Sequence, residues 1–186
     1  MRADRANDAL LIALAFSLGP AVSNGLARFA YALILPPMRA ELGWSYTQAG
    51  SLNTANALGY LCGALVAFRL AGRVQAKTLF NHAMWLTAAA LILSGLTARF
   101  VDLLVLRFVA GLTGAVVFIC GSIIVAHLAT HDAKRSAAAI ALNFAGGGLG
   151  IFVSGVTLPW LLQLGEIKLR TSHGSACGPP HWPPAC

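Results

Sequence analysis

Two guanidinium groups interrupt long runs of apolar residues: Arg28 and Arg107 each have Ala, Leu, Val, Ile and Phe on both sides for many positions. A charged side chain in such a run costs about 3 kcal/mol or more if the run lies in hydrocarbon, so it asks for an explanation. One reading is that each arginine snorkels to the membrane surface or pairs structurally. The other is that both face a water-filled cavity and attract an anionic or carbonyl-bearing solute. No Asp or Glu lies inside any apolar run, so these runs contain no carboxylate to neutralise the two cations. Arg28 stands eight residues before Pro36, and Arg107 eight residues after Arg99. At ~1.5 Å per residue, each is about 12 Å from the end of its run. The segments Leu26-Ala27-Arg28-Phe29-Ala30 and Leu106-Arg107-Phe108-Val109-Ala110 are also alike, which suggests a repeat placing the first and fourth runs in equivalent roles.

Other polar residues fall at helical spacing beside these arginines. Ser17, Asn24, Arg28 and Tyr31 form one stripe, and Asn53, Asn56 and Tyr60 a second. Asn143, Gly147, Gly150, Ser154 and Thr157 form a third. Such faces point at protein or a cavity rather than at lipid. The substrate-cavity set is therefore Arg28, Arg107, Asn24, Tyr31, Asn53, Asn56, Tyr60 and Asn143. Gly111 and Gly114 in the fourth run, with Gly147, Gly150 and Ser154 in the fifth, suit close helix packing. The glycine cluster together with Pro159 also suits a hinge. Soluble-type catalysis finds no support: there are no paired carboxylates, no nucleophile elbow and no phosphate-binding loop. No catalytic residue, cofactor or metal is expected. His173, Cys177, His181 and Cys186 match no usual zinc spacing.

Stepping these residues into place requires membrane spans. The chain has 186 residues, of which 58% are hydrophobic and 10% charged, far below the roughly 25% charged of a soluble domain. Mean hydropathy is +0.73. Five apolar runs are long enough to cross a ~30 Å core, at residues 9–35, 47–68, 79–98, 103–128 and 137–164. Pro36-Pro37 is expected to end the first. The first run lacks a small-residue cleavage site followed by a soluble domain, so it is not a removable signal. Cys62 and Cys120 lie within runs and suit small apolar packing.

The net charge of +7 fits the positive-inside rule better than nucleic-acid binding, because the basic residues lie in short loops. Arg2, Arg5, Arg69, Arg73, Lys77, Lys134 and Arg135 fall on one side, and the loops of the other side hold only Arg39 and Arg99. This predicts a multi-pass protein of the inner or plasma membrane with residues 1–8 in the cytoplasm. Residues 165–186 are Pro-rich and aperiodic, and they read as a disordered tail foreign to the domain, such as an out-of-frame extension.

The stretch GLARFAYALILPPM (Gly25–Met38), followed by ELGWSYTQAGSLNTANALGYLCGAL (Glu41–Leu65), resembles the major facilitator superfamily and within it the YbfB/YjiJ-like branch. Leu103, Arg107, Gly111 and Gly114 are similar to that superfamily's fourth-helix pattern, and the fifth run is similar in kind to its glycine-rich fifth helix without the Gly-Pro pair. Ala67 and Phe68 depart from the acidic and basic residues usual after the second helix. The resemblance implies an all-α integral membrane protein: five transmembrane helices of an N-terminal six-helix bundle, truncated before helix six. It also implies transport of a small solute by alternating access. By that resemblance Arg107 faces the central cavity, with a part in substrate or proton coupling, and Arg28 lines the cavity from the first helix. A chain of five helices is expected to be inactive alone, and the competing expectations are a nonfunctional gene remnant and a small membrane scaffold.

Overall fold

The computed structural model describes residues 14–70, 72–128 and 133–172, and they form five helical runs with no strand among them. Helix α1 covers residues 14–42 as one continuous run: α-helical at 14–20, π-helical over Ala21–Ala30, and α-helical again over Tyr31–Leu42. Helices α2 (Tyr46–Leu70), α3 (Ala76–Leu96), α4 (Phe100–Leu128) and α5 (Ala133–Ser172) follow. The π-helical stretch begins directly after Pro20, which has no N–H with which to continue the α-helical ladder. Wide turns of this kind concentrate at functional sites, and this one carries Asn24 and Arg28.

Two sequence expectations are corrected. Helix α1 does not stop before Pro36-Pro37 but runs through both to Leu42. Each proline removes one ladder bond without removing those on either side, and Tyr31, Leu35 and Met38 are held in a packed cluster across the interruption. The stop signal is Gly43, whose φ of 65° takes the left-handed conformation and whose N–H bonds back to the Arg39 carbonyl. The second correction concerns the C-terminal segment. Helix α5 continues past Leu164 to Ser172, so residues 165–172 are helical rather than disordered. Residues 173–186, with the His173, Cys177, His181 and Cys186 set, lie outside the described residues, as do residues 1–13.

The turns are tight and capped. Ser45 and Gln48 form a reciprocal capping box at the start of α2: the Ser45 N–H donates to the Gln48 amide oxygen at 2.9 Å, and the Gln48 N–H to the Ser45 hydroxyl at 3.2 Å. The Arg39 guanidinium closes this turn, 3.9 Å from the centre of the Tyr46 ring. Between α2 and α3, Gly72 supplies the second positive φ, 82°.

Helix α4 is the central element. Its apolar window is 56% buried, against 17% for α3 and 28% for α5, and these three helices are long and apolar enough to cross a membrane by length and composition. Helix α2 is long enough too, but Asn53, Thr54, Asn56 and Arg69 make it more polar. Helix α4 packs mainly against α2 and α3, and α1 mainly against α5. Two apolar clusters lie toward opposite ends of the bundle. Tyr31, Leu35, Ala49, Leu52 and Leu103 form one, and Ala67, Ala83, Val116, Val117 and Cys120 the other. Arg107, Asn56, Thr87 and Thr113 fall between them, all buried. Large apolar side chains such as Phe68, Trp85 and Leu96 are more than three-quarters exposed around the perimeter, as suits a protein whose solvent is lipid. The chain is an all-α membrane protein.

Candidate functional site

Arg107 is the most heavily enclosed cation among the described residues, only 3% exposed. Side chains on a helix lean toward its N-terminus, so Arg107 on α4 reaches toward the α3–α4 turn. There its guanidinium carbon lies 3.9 Å from the centre of the Tyr31 ring on α1. Its Nη2 donates to the Ser94 hydroxyl on α3 at 3.4 Å. A cation over a phenol ring away from water gains on the order of 2 kcal/mol, which offsets part of its desolvation. Beside this pair is a cavity of about 380 Å³. Tyr31, Ile34 and Met38 of α1 form one wall, Leu91 and Ser94 of α3 the other, and Thr97 is at its mouth end. That volume is in the range of small-ligand sites, and its charged group is a cation.

Asn56 supports the site from the second side. Its Nδ2 donates to the Arg107 backbone carbonyl at 3.0 Å, although Asn56 itself is 6% exposed. This bond is possible because α2 and α4 touch backbone to backbone. A Cβ at Gly59 would overlap the Phe108 carbonyl oxygen, one at Gly63 the Leu112 carbonyl, and one at Gly111 the Asn56 carbonyl. Small residues at these positions are what lets the helices approach so closely.

Arg28 belongs to a second, more open pair. Its guanidinium carbon is 5.3 Å from the centre of the Tyr60 ring on α2, and Asn24 lies beside Tyr60. Tyr60 is one turn further along α2 than Asn56, and Arg28 nearly one turn before Tyr31. The two arginines are therefore staggered by about one helical turn, ~5 Å, rather than level. Their expected equal depth was counted from Pro36, which does not end the helix.

The remaining sequence-derived residues distribute as follows. Asn53 is exposed on α2. Asn143 on α5 is fully buried and donates to the Ser122 hydroxyl on α4 at 2.9 Å. Ser122 is fifteen residues from Arg107, about 22 Å along the helix, so Asn143 is remote from the Arg107 cavity. Gly150 packs on the Ala21 backbone, and the Ser154 hydroxyl donates to the Gly150 carbonyl at 2.7 Å and approaches the Gly25 carbonyl at 3.3 Å. Gly114 and Gly147 have room: a Cβ at Gly114 would lie 3.6 Å from Ser23, and one at Gly147 3.8 Å from Pro20. Sequence reasoning missed Gly59 and Gly63, which their four-residue spacing could have revealed, and Gly25 at the α1–α5 contact, whereas Gly146, which packs on Ser17 there, belongs to the glycine cluster of the fifth run. It also missed Ser94, Met38 and Thr97, for which nothing in the local pattern is diagnostic.

A family model described as "Uncharacterised MFS-type transporter YbfB" matches residues 20–172. The chain belongs to this family. No curated protein and no solved structure matches it. Members of this MFS-type family are transporters and not enzymes, so the YbfB-like chain is a multi-pass membrane protein of a class that moves small solutes across the bilayer. The match reaches residue 172, as does helix α5, so both extend eight residues past Leu164.

Proposed function

We propose that this YbfB-like bundle forms one side of a translocation pathway for a small anionic solute, with Arg107 as the group that recognises the anion. The observation that carries this reading is a guanidinium 3% exposed within an apolar helix, stacked at 3.9 Å on Tyr31 beside a cavity of about 380 Å³. Ser94 and Thr97 supply hydroxyls at the cavity wall, and Ile34, Met38 and Leu91 supply an apolar surface. A compact carboxylate fits that combination: two of its oxygens meet the fork of the guanidinium, and its hydrocarbon part meets the aliphatic wall. Asn24, Arg28 and Tyr60 form the next polar step, one turn away.

Alternating access takes two bundles rocking around a shared site. The transport cycle is thus a property of an assembly in which these five helices face a second bundle, and the five alone are inactive. The positions of the lysines and arginines support an orientation with the N-terminus in the cytoplasm, in the plasma or inner membrane.

The test is uptake of labelled small carboxylates into proteoliposomes holding a full-length transporter that includes this bundle. Arg107→Ala is expected to abolish uptake while the protein still inserts; unchanged uptake overturns the assignment. Adding a protonophore tests proton coupling, which predicts a fall in accumulation. Reporter fusions at Gly43 and Gly72 check the orientation, with only the Gly72 fusion facing the cytoplasm.

A further inference from the structure

The α3–α4 turn carries a feature that the transport reading leaves unused. Between the ends of these helices is an open groove of about 470 Å³. Its walls are Leu93, Leu96, Val105 and Leu106, and Thr97 and Asp102 stand at its rim. Leu96 and Val105 are 77% and 55% exposed. Thr97 alone is shared with the cavity beside Arg107. The groove descends from Thr97 to Leu93, four residues or about 6 Å, on a face of two span-length helices where Leu93, Leu96 and Val105 are all exposed.

Its rim is a prepared charge pair. The Thr97 hydroxyl donates to Asp102 Oδ2 at 3.2 Å and accepts from the Arg99 N–H at 3.2 Å, which fixes the carboxylate over the turn. Arg99 Nε is 3.9 Å from the same oxygen, and the two side chains are 86% and 44% exposed. An ion pair this loose and this exposed contributes little by itself, so both groups remain available to a ligand.

We propose that this groove seats one phospholipid with a primary-amine headgroup, of the phosphatidylethanolamine type. One acyl chain lies against the four aliphatic side chains, the ammonium meets Asp102, and the phosphate meets Arg99. Leucine is no more apolar than the surrounding acyl chains, so the walls hold a chain without choosing among lipids. The choice falls to the rim. An ethanolamine ammonium donates N–H bonds to a carboxylate, and its phosphate matches the guanidinium fork. A choline headgroup has no N–H to donate. A glycerol headgroup can set its phosphate on Arg99 but offers Asp102 no cation, so the pair of lipid and protein is left with one negative charge unmatched.

The experiment is native mass spectrometry of the full chain released from nanodiscs of equal parts phosphatidylethanolamine, phosphatidylcholine and phosphatidylglycerol. The expected result is one retained ethanolamine lipid, favoured about tenfold over the other two, as for one charge-assisted hydrogen bond. Asp102→Asn should bring the three lipids to parity, and Asp102→Glu should keep the preference. Val105→Trp, which fills the groove and leaves the rim intact, should abolish retention of all three. Equal retention of the three lipids by the unaltered chain overturns the proposal, as does an undiminished preference in Asp102→Asn or Val105→Trp. A second copy of the chain retained in place of lipid overturns it as well.

Discussion

At the α2–α4 contact, Gly59, Gly63 and Gly111 bring two backbones together, and Asn56 donates a hydrogen bond to the Arg107 carbonyl across the seam. The α1–α5 contact is built alike: Gly25, Gly146 and Gly150 face backbone atoms of the partner helix, and the Ser154 hydroxyl reaches toward the Gly25 carbonyl. The two seams follow the expected repeat of helices one and four. In each, an arginine-bearing helix is gripped by the helix that follows its counterpart. They differ in what stands on the other side. Helix α4 also has α3 packed along it, which supplies Ser94, and the Thr87 hydroxyl donates to that of Thr113 at 2.7 Å. Helix α1 has only slight contact with α3 and shows Leu18, Phe29 and Leu33 at 64%, 43% and 41% exposure. The same short motif thus yields an enclosed arginine at one seam and an exposed one at the other. Burial of a charge is a property of the neighbours, not of the peptide that carries it.

Substitutions can break or sharpen this comparison. The largest effect is expected from Gly59→Val, because its side chain must displace the Phe108 carbonyl. Overpacking against backbone costs about 3 kcal/mol or more, which should appear as loss of the folded band in a mixed-micelle denaturant titration. Gly150→Val should do the same to the α1–α5 seam, and a mild phenotype at either one would mean that seam is looser than described. Next comes the contrast between tyrosines: Tyr31→Leu should cost about 2 kcal/mol and Tyr60→Leu about 0.5 kcal/mol, following the closeness and burial of the two cation–ring pairs. Equal costs by the same titration would erase the distinction between the arginines. Asn56→Ala should cost about 1 kcal/mol for its interhelical bond. Ser154→Ala should cost less, since that hydroxyl mainly bonds its own helix at Gly150. The smallest effect belongs to Gly114→Ala, where the nearest neighbour leaves ordinary contact space, and a change under about 0.5 kcal/mol is expected. A larger loss would show that α1 presses on α4 more closely than the 3.6 Å to Ser23 implies.

Much of the architecture was legible because hydropathy is a one-dimensional signal. Long apolar runs between clustered charges announce membrane helices whatever their neighbours are, and Arg28 and Arg107 drew attention for the same reason. Helix ends were harder. Pro36-Pro37 looked like a stop, yet the chain ends α1 at Gly43, where the backbone can turn left-handed and cap the helix. The boundary at Leu164 was drawn from composition, and the helix passes it by eight residues.

The partners were not legible at all. Nothing in the local sequence joins Tyr31 to Arg107 rather than to Arg28, three positions away, or ties Asn143 to Ser122, about 22 Å along α4 from Arg107. Those outcomes depend on which helices meet, how closely glycine lets them approach, and the one-turn stagger between α1 and α4. Residue types alone therefore determined that this chain must live in a bilayer and accommodate two cations there, because hydrocarbon imposes that on any sequence. Which cation is enclosed, and what encloses it, was decided only by packing, since a buried environment is assembled from residues distant along the chain.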